Sequence, residues 1–156
     1  MGTLFVNKSI EIQASKSRVW DILTKREFTD QWALEFSSGG PQFHIESNWG
    51  LGDPVLWKGQ DGETTVEGTV TVLELHKILR YTVFDVRMVE RPKVTEKDGI
   101  TYLLDEKNGN TTLHILQGDF SAMTDGEKYH RLTEEIWDRV LPKIKILAEN
   151  EGKKDL

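Results

Sequence analysis

The chain has 156 residues, with 26 acidic against 20 basic side chains and a net charge of −6. That is the size of one domain, and the charge has the wrong sign for a phosphate backbone, which argues against nucleic-acid binding. There is no cysteine, which excludes disulfides, thiol catalysis and cysteine-ligated metals. No apolar run approaches the roughly 18 residues of a membrane-crossing helix, and the opening MGTLFVNKSI lacks the basic-then-apolar build of a secretory leader. The expectation is a cytoplasmic protein without membrane insertion.

In chain order, Leu4, Val6, Ile10 and Ile12 share one parity, which predicts a half-buried strand over 4–12. Ser15 stands where an N-cap belongs, and SKSRVWDILTK then reads as a helix with Val19, Trp20 and Leu23 on one face. REFTDQWAL adds a second short helix carrying Phe28 and Trp32, and it breaks at Ser37-Ser38-Gly39-Gly40-Pro41. Strands follow over 42–47, 54–59, 64–75, 78–86, 100–106 and 111–120. In 64–75 the parity set by Val66, Val70 and Val72 switches to Leu73 and Leu75, which predicts a bulge. Asn108-Gly109 between two apolar runs is a hairpin signal. The segment 87–99 is irregular and reads as a loop over one end.

The last element is a long amphipathic helix. Thr124 and Glu127 have the spacing of a capping box, and Tyr129, Leu132, Ile136, Val140, Ile144 and Leu147 recur every three or four residues. Pro142 inside it predicts a kink. The order of strand, two short helices, many strands and one helix is not alternating βαβ. It predicts an α+β fold in which a curved antiparallel sheet of about six to seven strands wraps a long C-terminal helix. A single domain spans 1–156, with its core over 4–149 and a polar tail over 150–156.

Gly50-Leu51-Gly52 has half the spacing of a phosphate-binding fingerprint. It lacks the third glycine and the helix whose N-terminus makes such loops bind anions, and Asp53-Pro54 leads into a strand instead. The stretch reads as a turn. The four histidines have no metal-ligand spacing. His114 is expected to face outward and His130 to reach the solvent edge of its helix. The pairs Asp105-Glu106 and Glu134-Glu135 diverge on a strand and a helix. Asp85 and Arg87 share a parity that places charge at a cavity mouth, and Glu90, Arg91 and Lys93 fall in the loop as rim residues. No catalytic residue, metal site or cofactor is assigned.

Several strings, in their order and spacing, resemble the helix-grip domains, the START-like or birch-pollen-allergen-like superfamily (SRPBCC). They are IEIQASKSRVWDILT (10–24), QW (31–32), WGLGDPVLWKG (49–59), VEGTVTVLEL (66–75) and GNTTLHILQGDF (109–120). Within it the chain is most similar to the branch homologous to the C-terminal domain of the activator of the ninety-kilodalton heat-shock chaperone. The resemblance implies a hollow between sheet and helix that holds a lipid-like or aromatic molecule. Trp32, Phe36, Trp57, Tyr81, Phe84, Tyr102, Phe120, Tyr129 and Trp137 are the candidate lining residues, since such pockets are mostly apolar and aromatic. A chaperone contact is the alternative, and a polyketide cyclase or aromatase activity another. The expected state is a monomer or weak dimer.

Overall fold

The structure, a computed structural model, describes residues 3–37, 43–59, 61–86, 99–122 and 125–150. Strand β1 (Val6–Ile12) buries Val6 and Ile12 at its two ends. Helix α1 (Lys16–Thr24) starts where the sequence places its cap: the Ser15 Oγ accepts a hydrogen bond from the Arg18 amide at 3.2 Å. It buries Val19, Trp20, Ile22 and Leu23. Extended backbone at Lys25 ends α1 and starts α2 (Arg26–Trp32), which runs into a 3-10 turn, Ala33–Ser37.

Seven strands follow: β2 (Phe43–Glu46), β3 (Pro54–Gly59), β4 (Thr64–Glu74), β5 (Ile78–Tyr81), β6 (Phe84–Asp85), β7 (Gly99–Lys107) and β8 (Asn110–Gly118). A second 3-10 turn, Phe120–Ala122, leads to the long helix α3 (Gly126–Glu149). The described strands form one antiparallel sheet in the order β1-β8-β7-β5-β4-β3-β2, with β6 paired to β4 off that path. This is the curved sheet around a C-terminal helix that the element order predicts.

β4 does switch parity, but earlier than expected: its register against β5 shifts between Val70 and Val72, so Val72 pairs with Arg80 and leaves the face that Val70 shares with Tyr81. The hairpin is real too. Lys107 pairs with Asn110, and Asn108 and Gly109 both have positive φ (55° and 83°), the mark of a type I′ turn.

Three other expectations need correction. The predicted strand over 78–86 is two pieces, because Thr82 leaves the line to meet β4. Its amide donates to Thr69 O at 3.0 Å and its hydroxyl accepts from the Thr69 amide at 2.9 Å. Gly68 permits that approach, since a Cβ there would lie 1.6 Å from Thr82 O. The N-cap of α3 is Asp125, at φ 58° and without a side-chain capping bond; Thr124 lies outside the described residues. His130 turns inward more than expected, with its side chain only 15 % exposed. Its Nε2 donates to Phe5 O at 2.9 Å, and its ring meets Phe120 edge-on with centroids 5.8 Å apart. The helix continues through Pro142, which is exposed.

The core lies between the sheet's inner face and α3, which buries Trp137, Val140, Leu141, Ile144 and Ala148. Besides His130, three bonds fasten α3 to β1 and its end: Lys8 to Asp138 at 2.9 Å, Lys145 Nζ to Glu11 O at 2.9 Å, and the Gln13 amide to Glu149 at 2.8 Å. The Arg18 guanidinium donates to Leu147 O at 3.0 Å near the C-terminus of α3, where free carbonyls favour a cation.

Candidate functional site

The inner face of the sheet places the aromatic side chains by register. Tyr81 on β5 lies opposite Ile100 on β7, Leu79 lies opposite Tyr102, and Tyr102 lies opposite Ile115 on β8. All five have their side chains on one face, because paired residues share a side and every second residue returns to it. Tyr81 and Tyr102 are therefore diagonal neighbours. Their rings meet edge-on at 5.8 Å, and their hydroxyls are 2.8 Å apart. Each residue is 1 % exposed.

From there the rings continue toward the helices. Tyr102 stands edge-on to Trp137 of α3 at 6.3 Å, and Trp137 lies 6.2 Å from Trp32 of α2. Phe36, carried by the first 3-10 turn, stands edge-on to Trp137 (5.1 Å), Trp57 of β3 (5.6 Å) and Trp32 (6.4 Å). Apart from the Trp32–Trp137 pair, tilted at 35°, these are the favourable edge-to-face arrangement of aromatic quadrupoles. The indole N–H groups are placed as well: Trp32 donates to Ile22 O at 2.8 Å, and Trp137 to the Gln117 side chain at 2.8 Å. Glu35, next to Phe36, bonds Lys143 at 2.8 Å and Arg139 at 3.3 Å, which ties the turn to α3. The Lys143 bond above all holds the Glu35 carboxyl below the usual carboxylate range.

Of the expected lining residues, Trp32, Phe36, Trp57, Tyr81, Tyr102 and Trp137 thus come together. Phe84 is half-buried on β6. Phe120 is buried against His130, and Tyr129 is 44 % exposed on α3 beside Lys128. The Asp85 side chain and residues 87–98, including Arg87, Glu90, Arg91 and Lys93, lie outside the described residues.

Two members of the site lie outside the expected lining set. Gln117, which holds the Trp137 indole, has the same parity as the buried Leu113 and Ile115, so alternation along β8 signals it. Trp49 has no such signal. It sits in the left-handed region at φ 58°, rare for a bulky residue. The Ser47 hydroxyl accepts from its amide at 3.0 Å, its indole donates to Thr24 O at 2.9 Å, and its ring packs edge-on against Tyr81 at 5.2 Å. The Gly-Leu-Gly stretch after it is a turn. The Asp53 amide donates to Gly50 O at 3.0 Å, and the Asp53 carboxylate accepts from the Gly50 amide at 2.8 Å.

Burial pushes the Tyr81 phenol up, against a smaller opposing pull from its bond to Tyr102. Burial also pushes Tyr102 well up, and the neighbouring Tyr81 adds to it. Both are thus neutral hydroxyls at any physiological pH.

A recess of about 420 Å³ opens on the outside, between the α1–α2 corner and the β2–β3 loop. Its charged lining groups are already engaged, Arg26 with Asp30 at 3.3 Å and Glu46 with His44 at 2.5 Å. The bond from His44 chiefly holds the Glu46 carboxyl below its ordinary range. Among the described residues, no group of three or more His, Asp or Glu side chains converges to hold a metal ion. No described helix is long and apolar enough to cross a membrane.

A curved sheet closed over a long helix, with an aromatic interior, defines a helix-grip domain. The chain belongs to the family described as Activator of Hsp90 ATPase homolog 1-like protein, which matches residues 13–149. No curated protein matches the sequence. Solved structures share the fold. Protein MLL2253 from Mesorhizobium loti is 16 % identical with a TM-score of 0.68, over 92 % of this chain and 95 % of that one. ChR145 from Cytophaga hutchinsonii is 22 % identical with a TM-score of 0.67, over 98 % and 99 %. The Aha1 dimer from Colwellia psychrerythraea is 17 % identical with a TM-score of 0.63, over 93 % and 96 %.

Proposed function

We propose that this is a binding domain for a small apolar or aromatic molecule, held between the sheet and α3 among Trp32, Trp57, Tyr102 and Trp137. The observation that carries the reading is the position of Phe36. Its ring touches Trp32, Trp57 and Trp137 while only partly buried, and it rides on a five-residue 3-10 turn rather than on the sheet or a long helix. Short 3-10 segments have poorer hydrogen-bond geometry than α-helix and yield more easily. An aromatic ligand takes the place of that ring, aromatic for aromatic.

Titration with naphthalene, followed through the indole N–H resonances, tests this. Saturable shifts at Trp57 and Trp137 are expected. In Phe36→Ala the ligand no longer displaces a ring, so affinity rises about tenfold, the equivalent of about 1.4 kcal/mol. Absence of any saturable indole shift in both proteins refutes the reading.

A further inference from the structure

We propose that the ligand of this interior carries a hydrogen-bond acceptor oxygen of the aryl-ketone kind, and that the Tyr81–Tyr102 hydroxyl pair donates to it. The inference rests on the binding reading above and specifies its polar contact.

The argument is a count of protons. Two hydroxyls 2.8 Å apart share one hydrogen bond, in which one donates and the other accepts. The accepting hydroxyl still owns a proton. Both groups are fully buried, and among the described residues neither has another hydrogen-bond partner. Buried donors in folded proteins are nearly always satisfied, so a stranded one calls for an explanation. The pair borders the aromatic set through both rings, Tyr102 edge-on to Trp137 at 6.3 Å and Tyr81 edge-on to Trp49 at 5.2 Å.

The chemistry of the missing partner follows. Because both phenols stay protonated, the pair offers a donor and no base; a ligand whose polar group only donates gains less. The first hydroxyl polarises the second, which strengthens the outgoing bond to an acceptor. A carboxylate would leave its hydration shell for two neutral hydroxyls, which do not repay the desolvation of a full charge. A neutral carbonyl on a flat apolar body matches both the donor and the rings. A polar site of this kind also discriminates, because a ligand lacking the oxygen leaves the buried proton unpaired.

The test compares 1-tetralone with tetralin, its counterpart without the carbonyl, by calorimetry on the whole chain and on the double variant Tyr81→Phe/Tyr102→Phe. In the unmodified protein the ketone is expected to bind about tenfold more tightly than the hydrocarbon, the scale of one net hydrogen bond. In the double variant the preference falls to about one while tetralin binds as before. The carbonyl stretch of bound tetralone is expected at lower wavenumber in the unmodified protein than in the variant. Equal affinities in the unmodified protein, or a preference retained in the variant, overturn the inference and leave the binding reading standing. Failure of both compounds to bind overturns both.

Discussion

The stranded proton has a consequence for stability that needs no ligand. Changing Tyr81 to Phe removes one hydroxyl and leaves the buried Tyr102 hydroxyl without its bond to Tyr81. Tyr102→Phe does the same to Tyr81. Each single change therefore costs the full penalty of an orphaned buried polar group, about 1–3 kcal/mol. The double change removes both hydroxyls and keeps both rings, so the edge-on contacts at 5.2, 5.8 and 6.3 Å survive. Replacing both partners of a buried bond by apolar groups of the same shape is nearly neutral or stabilising. It also abolishes the unsatisfied donor.

The double variant is thus expected within about 0.5 kcal/mol of the parent or above it, with a coupling energy of at least about 1.5 kcal/mol. Urea unfolding of the four proteins, followed by tryptophan fluorescence, measures the cycle. Additive costs, with the double variant losing the sum of the singles, refute the premise that the two hydroxyls depend chiefly on each other.

Two further outcomes follow from other parts of the structure. Both buried tyrosines titrate above their unfolded value near 10, so the native state holds protons that the unfolded chain releases. Stability is full below pH 10 and declines above it, by about 1.4 kcal/mol per pH unit for each tyrosine. Urea midpoints from pH 9 to 11.5 check this, and an equal decline in the double variant counts against it. At Gly68 an added Cβ would lie 1.6 Å from Thr82 O and 2.5 Å from its carbonyl carbon. Gly68→Ala must therefore part β4 from Thr82 and is expected to cost at least about 3 kcal/mol. At Gly62, where nothing lies within 4 Å and only the φ of 84° resists, Ala costs about 1 kcal/mol. Equal melting temperatures for the two variants would sink the argument.

Local chemistry made much of this molecule legible. The Ser15 cap, the Asn108-Gly109 hairpin and the β4 bulge depend on residues close in sequence, so the pattern of a few neighbours determines them. Period-2 alternation placed Val6, Ile12, Leu113 and Ile115 on the inner face, and the helical period placed Val140 and Ile144 against the sheet. Even the reading of Gly50-Leu51-Gly52 as a turn needed only the absence of a following helix.

Periodicity reports which face a residue is on, not which neighbours it meets there. Phe120 and Tyr129 stood beside Trp137 among the candidate lining residues, but Tyr129 points outward on α3 and Phe120 packs on His130 instead. Trp49, whose left-handed backbone turns its ring onto Tyr81, lies outside that set, and periodicity ran β5 into β6 across Thr82. The Tyr81–Tyr102 pair is the clearest case. The two residues are 21 positions apart and meet only because the register of β5 on β7 sets them diagonally. The sequence by itself determined the elements, their order and a predominantly aromatic interior. Which rings touch, and where one unspent proton is left among them, was decided by sheet register and by the rotation of α3, which no local pattern encodes.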